Sequence, residues 1–201
     1  MGTRGSVMII VDNKEKGCYN HSDSYPDGLG EEVIEALKAI DKEKDGWKTF
    51  IKNSKKLKLV SEDKKPSKLL QEKYKKFANE GVGSGSVEDW YCLLRELQGA
   101  AYITAIMSGE AEHMLDGTNF VKDSLFCEYA YIINLDKMKL EFYEGFQKNP
   151  QKGNRFGAQK RGRNGYYPCA KVGEIALEGI SKDEMAVEVM TKIYKKSEEE
   201  A

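Results

Sequence analysis

Two segments of strand-forming residues, 6–11 near the start of the chain and 126–133 well into its second half, bracket a long middle with helical periodicity, and this order constrains the fold most. Extended segments must find partners for their backbone N–H and C=O groups, and the helices between them need an apolar face to cover. The reading is an α+β fold: a mainly antiparallel sheet built from N-terminal and C-terminal hairpins, with helices packed on one face. A length of 201 residues suits one domain.

Local signals fill in the order. Residues 6–11 form a first strand, 12–17 read as a turn, and 18–21 resume the hairpin. Pro26 ends the extended segment and Asp27 can cap a helix carrying Leu29, Val33, Leu37 and Ile40. Trp47, Phe50 and Ile51 mark a short second helix, and Leu70, Tyr74 and Phe77 a third over 67–78. The glycine-rich run 81–86 has no preceding strand and no Lys-Ser or Lys-Thr to close it, so it is a linker rather than a phosphate loop. Ser86 with Asp89 predicts the start of a core helix that carries Trp90, Leu93, Leu94, Leu97 and Ala101 inward and runs to Met107. A second hairpin spans 124–135 and 139–146 about an Asp136-Lys137 turn. A closing strand at 169–177 follows, and Ser181 with Glu184 predicts a capping box for a terminal helix bearing Met185, Val189 and Ile193.

A hydrophobic fraction of 40% against 32% charged residues gives a core under a densely ionic surface, with no apolar run near the length of a membrane span. No signal-peptide pattern opens the chain, so the expected setting is cytoplasmic. The net charge of -1 hides alternating blocks. Residues 41–80 sum to +6, as expected of a solvated lysine-rich helical face, and residues 174–201 to -4. Residues 147–173 sum to +7 without one acid: Lys148, Lys152, Arg155, Lys160, Arg161, Arg163 and Lys171 lie among glycines and beside Phe156, Tyr166 and Tyr167. Arginine forks, aromatic faces and close backbone approach together suit a phosphate or a nucleotide, while a merely solubilising loop has the same ingredients.

Reactive groups are sparse. Four cysteines lie far apart with no CxxC pair, and with only two histidines, His21 and His113, no metal site and no cofactor are expected. His113 falls in a polar stretch that reads as exposed. His21 stands beside Asp23 and is the candidate acid-base group, with Asp23 as its partner, unless Asp23 only stabilises a turn. Ser22, Ser24 and Cys18 are near it in sequence, but no nucleophile-elbow pattern surrounds them.

The opening MGTRGSVMIIV and the segment HSDSYPDGLG resemble a largely uncharacterised family of small bacteriophage and bacterial proteins that begin MGTR and carry an HWDGYPxGxG-like segment. His21, Asp23, Tyr25, Pro26, Gly28 and Gly30 match, while Ser22 and Ser24 replace an aromatic and a glycine. CEYAYIINLDKMKLEFYEGF and YYPCAKVGEIAL are similar to the family's second hairpin and closing strand. Residues 41–85 have no counterpart, which implies a lysine-rich helical insertion. The resemblance implies a phage or bacterial setting, and it suggests that both ends of the chain converge on one sheet. Arg4, Tyr19, Asp23, Tyr25, Glu128, Tyr131, Arg155 and Tyr167 would then share a cleft, with Arg161, Arg163 and Tyr166 completing an anion-binding loop.

The leading expectation is a non-enzymatic protein that binds a small phosphorylated or nucleotide-like ligand, with a host-modulating or counter-defence role. The alternatives are a hydrolase or transferase using His21 and Asp23, and an interaction module contacting an acidic host protein or nucleic acid.

Overall fold

The computed structural model describes residues 2–151, 155–156, 162 and 164–200. Seven strands and six α-helices are set among them: β1 (Gly5–Val11), β2 (Lys14–Asn20), α1 (Glu31–Lys42), α2 (Gly46–Lys56), β3 (Lys58–Val60), α3 (Lys68–Tyr74), α4 (Trp90–Leu93), α5 (Ala100–Ser108), β4 (His113–Leu115), β5 (Tyr129–Asn134), β6 (Lys139–Glu144), β7 (Ala170–Ala176) and α6 (Ala186–Glu200). The architecture is α+β. A five-stranded sheet runs in the order β2-β1-β5-β6-β7, and a small parallel pair joins β3 to β4.

The N-terminal and C-terminal hairpins meet through β1 and β5, whose pairing is parallel, with Gly5 opposite Tyr129 and Ile10 opposite Asn134. The other pairings in this sheet are antiparallel. A parallel junction at the centre requires cover on both faces, and all seven residues of β1 are buried. Val7, Ile9 and Val11 pack with Leu29, Val33, Leu37, Tyr131, Ile133 and Phe142 under the helices. Met8 and Ile10 point the other way, toward Val121, Ile132, Tyr143 and Phe156.

Several local expectations shift. The first turn is only Asp12-Asn13, both at positive φ, so β2 begins at Lys14 rather than beyond Gly17. The expected long helix from Ser86 to Met107 is two helices. Asp89, not Ser86, caps α4 by accepting from the Tyr91 N–H at 2.9 Å, and α4 ends at Leu93. Gly99, at φ +55, then redirects the chain; a Cβ there would lie 2.6 Å from Leu29 Cδ1 and 2.8 Å from Asn20 Oδ1. After that break Ala101 is exposed rather than inward. Ser181 forms no capping box: its N–H donates to Asp41 Oδ2 at 3.0 Å and its hydroxyl meets the same carboxylate. On α6 the inward residues are Ala186, Met190 and Tyr194.

Residues 41–85 hold α2, β3 and α3. Phe50, Leu57 and Tyr74 from this stretch lie in the same core as β1 and β5. Lys16 of β2 reaches across to the end of α2, its ammonium donating to the carbonyls of Ser54 at 2.6 Å and Leu57 at 2.7 Å, where the helix leaves acceptors unpaired. Burial lowers the Lys16 pKa below that of a free lysine. The four cysteines are free and buried. Among the described residues no helix is long and apolar enough to cross a membrane.

Candidate functional site

Where β2 ends, the chain leaves a cavity of about 430 Å³. Its floor is apolar, made by Cys18, Leu94, Leu97, Tyr102 and Leu115, and its rim carries Arg4, Tyr19, His21, Glu62, Tyr91, Gln98, Asp116 and Gly117. Arg4 precedes β1, Tyr19 and His21 sit at and just past the end of β2, and Tyr91 to Gln98 belong to the α4 segment that Gly99 turns back over the sheet edge. Glu62 follows β3, Tyr102 comes from α5, and Leu115 to Gly117 end β4 and follow it.

The polar rim has a definite arrangement. Tyr19 Oη and His21 Nδ1 are 3.0 Å apart, and the Tyr19 ring meets Phe120 edge-on at 5.0 Å. Arg95 donates to Gln98 Oε1 at 2.8 Å and to Tyr91 Oη at 3.3 Å, with its guanidinium 5.5 Å from the Tyr91 ring centre. Arg4 lies 5.3 Å over the Phe126 ring, while its backbone N–H donates to Glu128 Oε1 at 3.3 Å. Burial raises the Tyr19 phenol above its ordinary range, Tyr91 adds to the effect, and Arg4 and Arg95 oppose it, so these four groups share one electrostatic neighbourhood.

The floor is chemically quiet. Burial pushes the Cys18 thiol up to about 12, which leaves it protonated and unsuited to nucleophilic attack. The Tyr102 phenol is likewise raised well above its ordinary range by burial. Neither Arg4 nor Arg95 forms an ion pair among the described residues, although Glu62 and Asp116 stand at the mouth. The site can hold a ligand with an apolar or aromatic body and an anionic group near the arginines.

Of the sequence candidates, Arg4, Tyr19 and His21 meet here. Asp23 does not partner His21: it is exposed at φ 54, and its carbonyl accepts from Leu29 N–H at 2.9 Å, closing the turn into α1. Tyr25 is 45% exposed and tilts against Tyr129 rather than the cavity. Tyr131 belongs to the core, its hydroxyl donating to Ser24 O at 3.0 Å and its ring packed against Phe142 and Tyr194. Glu128 reaches Arg4 only through the main chain.

Arg155 does cross the opening hairpin, but at the far end. Its guanidinium lies 3.5 Å from Glu15 and 3.7 Å from the buried Glu141, while Phe156 enters the core. Glu15 pairs with Ile10 and Asn20 with Gly5, so five residues, roughly 17 Å of strand, separate Arg155's anchor from the cavity end. Tyr166 and Tyr167 are half-buried, with Tyr167 N–H donating to Gln147 O at 2.8 Å. Arg161 and Arg163 lie outside the described residues.

Tyr91 and Gln98 on the rim, and Arg95 bonded to both, are the residues that sequence reading missed: their i, i+4, i+7 spacing places them on one polar helix face, which reads as a solvated surface. The signal available was Gly99 itself, an interior glycine in an otherwise helical pattern. His113 is also not exposed as expected. It stacks on Trp90 at 5.8 Å and meets Tyr74 Oη at 3.0 Å through Nδ1. Among the described residues no cluster of His, Cys, Asp or Glu is arranged to hold a metal ion.

No known protein family, curated protein or solved structure matches the chain.

Proposed function

We propose that this is a non-enzymatic binding protein for a small phosphorylated or nucleotide-like ligand, held in the cavity at the end of β2. The observation that carries the reading is Arg4 on the rim beside Tyr19 and Tyr91 over an apolar floor, with Arg95 held against Tyr91 and Gln98 close enough to act on Tyr19, both arginines free of ion pairs among the described residues. A volume of about 430 Å³ is in the range of pockets that enclose metabolite-sized ligands. The anionic group would sit against Arg4, with Arg95 adding to the positive field, the planar body against the tyrosines, and Gln98 would offer its amide to a polar edge. In a phage or bacterial setting, sequestering such a ligand would give the protein a host-modulating or counter-defence role.

Calorimetry against a panel of nucleotides and sugar phosphates, at low and high salt, tests this. At least one member should bind with an affinity that falls as salt rises, and Arg4→Ala and Arg95→Ala should each weaken it at least tenfold. A panel that gives neither heat nor thermal shift overturns the reading.

The contact between Tyr19 Oη and His21 Nδ1 favours a second reading, acid-base chemistry by His21 in a hydrolase or transferase. Tyr19, in place of Asp23, would then orient the ring. A pH–rate profile on phosphoester substrates that His21→Ala leaves unchanged removes it.

A further inference from the structure

The surface carries two complementary patches, each built on an apolar centre. The first is a groove of about 730 Å³ along α2, with Trp47, Ile51 and Met138 inside and Lys48, Lys52, Lys55 and Lys56 around it, Glu178 being the one acid on its lining. α2 itself contains four lysines and no acid. Lys55 pairs with Asp12 at 2.9 Å, whereas Lys48, Lys52 and Lys56 form no ion pair among the described residues.

The second patch opens α6. Met185 and Val189, one helical turn apart, are 49% and 37% exposed. Asp183, Glu184 and Glu188 surround them, all exposed, with Lys182 and Lys192 at the margins and Lys192 pairing with Glu188 at 2.7 Å. An exposed Met or Val alone needs no explanation, but this pair has acids where the groove has lysines.

The patches are tied through one residue. Asp41 accepts from Trp47 Nε1 at 2.7 Å and from the Ser181 N–H at 3.0 Å, so a single carboxylate ties the floor of the groove to the approach of α6. Linked patches that complement each other satisfy the geometric need of a twofold axis, in which the same two surfaces meet twice and the assembly closes.

We infer that the occupant of the groove is a second copy of this chain. The α6 patch of each protomer enters the α2 groove of the other, setting Met185 and Val189 against Trp47, Ile51 and Met138. The lysine rim then faces Asp183, Glu184 and Glu188. Rim charges of this kind set orientation and give the association its salt dependence.

Sedimentation velocity of the full chain from micromolar to millimolar concentration tests the inference. The expected result is a monomer–dimer equilibrium that shifts toward monomer as salt rises. The variants Lys48→Glu with Lys52→Glu, and Glu184→Lys with Glu188→Lys, should each dimerise at least tenfold more weakly, because like charges then meet at both contacts. Mixed in equal amounts they should recover the dimer, since every contact pairs opposite charges again. The substituted side chains are all exposed, and circular dichroism checks that each variant is folded. A wild-type chain that stays monomeric throughout, including one whose groove binds an acidic peptide or an oligonucleotide instead, overturns the inference, as does a dimer that neither variant weakens.

Discussion

At one end of the five-stranded sheet Arg155 is held between Glu15 and Glu141, whereas at the other Arg4 lines a cavity, Arg95 bonds to its rim residues Tyr91 and Gln98, and neither forms an ion pair among the described residues. The first arginine comes from a stretch with seven basic residues and no acid, the other two from stretches rich in acids. A segment's net charge therefore does not say whether its cations are free. One partner, Glu15, comes from a strand distant in sequence, and the other, Glu141, 3% exposed, takes Asn134, Tyr143 and Arg155 at once. A carboxylate so placed needs all of them to offset its desolvation.

The largest expected effect comes from breaking the locked end. Glu141→Ala strands the amide of Asn134 and the hydroxyl of Tyr143 and leaves Arg155 with Glu15 alone, and should lower unfolding free energy by about 3 kcal/mol in urea titration. A loss below about 1 kcal/mol would mean that the two ends do not differ as described.

Next is the turn that builds the cavity wall. Gly99→Ala forces a Cβ toward Leu29 and Asn20 at positive φ, and should cost about 1–3 kcal/mol by the same titration. The Tyr91–Arg95–Gln98 rim should be displaced along with it, which makes loss of ligand binding a second readout.

A smaller effect is expected on pH. Burial foremost, with Lys58 and Lys73 adding and Glu112 opposing, lowers the His113 pKa below 6.5 in the folded chain. The folded state thus binds fewer protons, so this stabilisation is complete above pH 6.5 and declines as pH falls toward the lowered folded value. The half-buried ring limits the size. Between pH 7.5 and 5.5 the His113 contribution should appear as a fall in Tm of about 2 °C that His113→Phe removes. A His113→Phe chain with an unchanged pH profile would place the ring in solvent instead.

The smallest effect on stability is expected at the open end. Arg4→Ala and Arg95→Ala should each change unfolding free energy by no more than about 0.5 kcal/mol while removing ligand binding. If either matched Glu141→Ala in destabilising the fold, that arginine would be a structural element and the contrast between the ends would fail.

Much of the scaffold was readable because it depends on near neighbours. Residues 6–11 and 129–134 are β-rich runs whose identity needs no context, and Val33, Leu37 and Ile40 fix the buried stripe of α1 by spacing alone. Asp12-Asn13 shows the limit of that reading. Both residues adopt positive φ in a two-residue turn, and β2 starts in charged residues, Lys14 to Lys16, that composition assigns to a loop. Lys16 is a strand residue because three carbonyls at the end of α2 await its ammonium, a fact visible only after α2 is placed. Of the rim, Arg4, Tyr19 and His21 were legible as polar or aromatic residues at a strand end. Tyr91, Arg95 and Gln98 were not, because their spacing marks only a polar helix face, and it is the placement of that face beside Tyr19 of β2 that makes it part of a site.

The sequence by itself determined the α+β class, the two hairpins and the identity of the residues able to bind an anion or move a proton, since these follow from side-chain chemistry and short-range periodicity. Tertiary structure alone decided which of them meet. The parallel contact of β1 with β5 sets the two hairpins side by side, and Gly99 folds the α4 segment over the edge of β2. Glu15 and Glu141 claim Arg155, while Arg4 lines the cavity and Arg95 bonds to its rim. The physical reason is that an ion pair is decided by distance in space: Arg155 meets Glu141 across 14 positions of chain and Glu15 across 140, and spacing in sequence predicts neither.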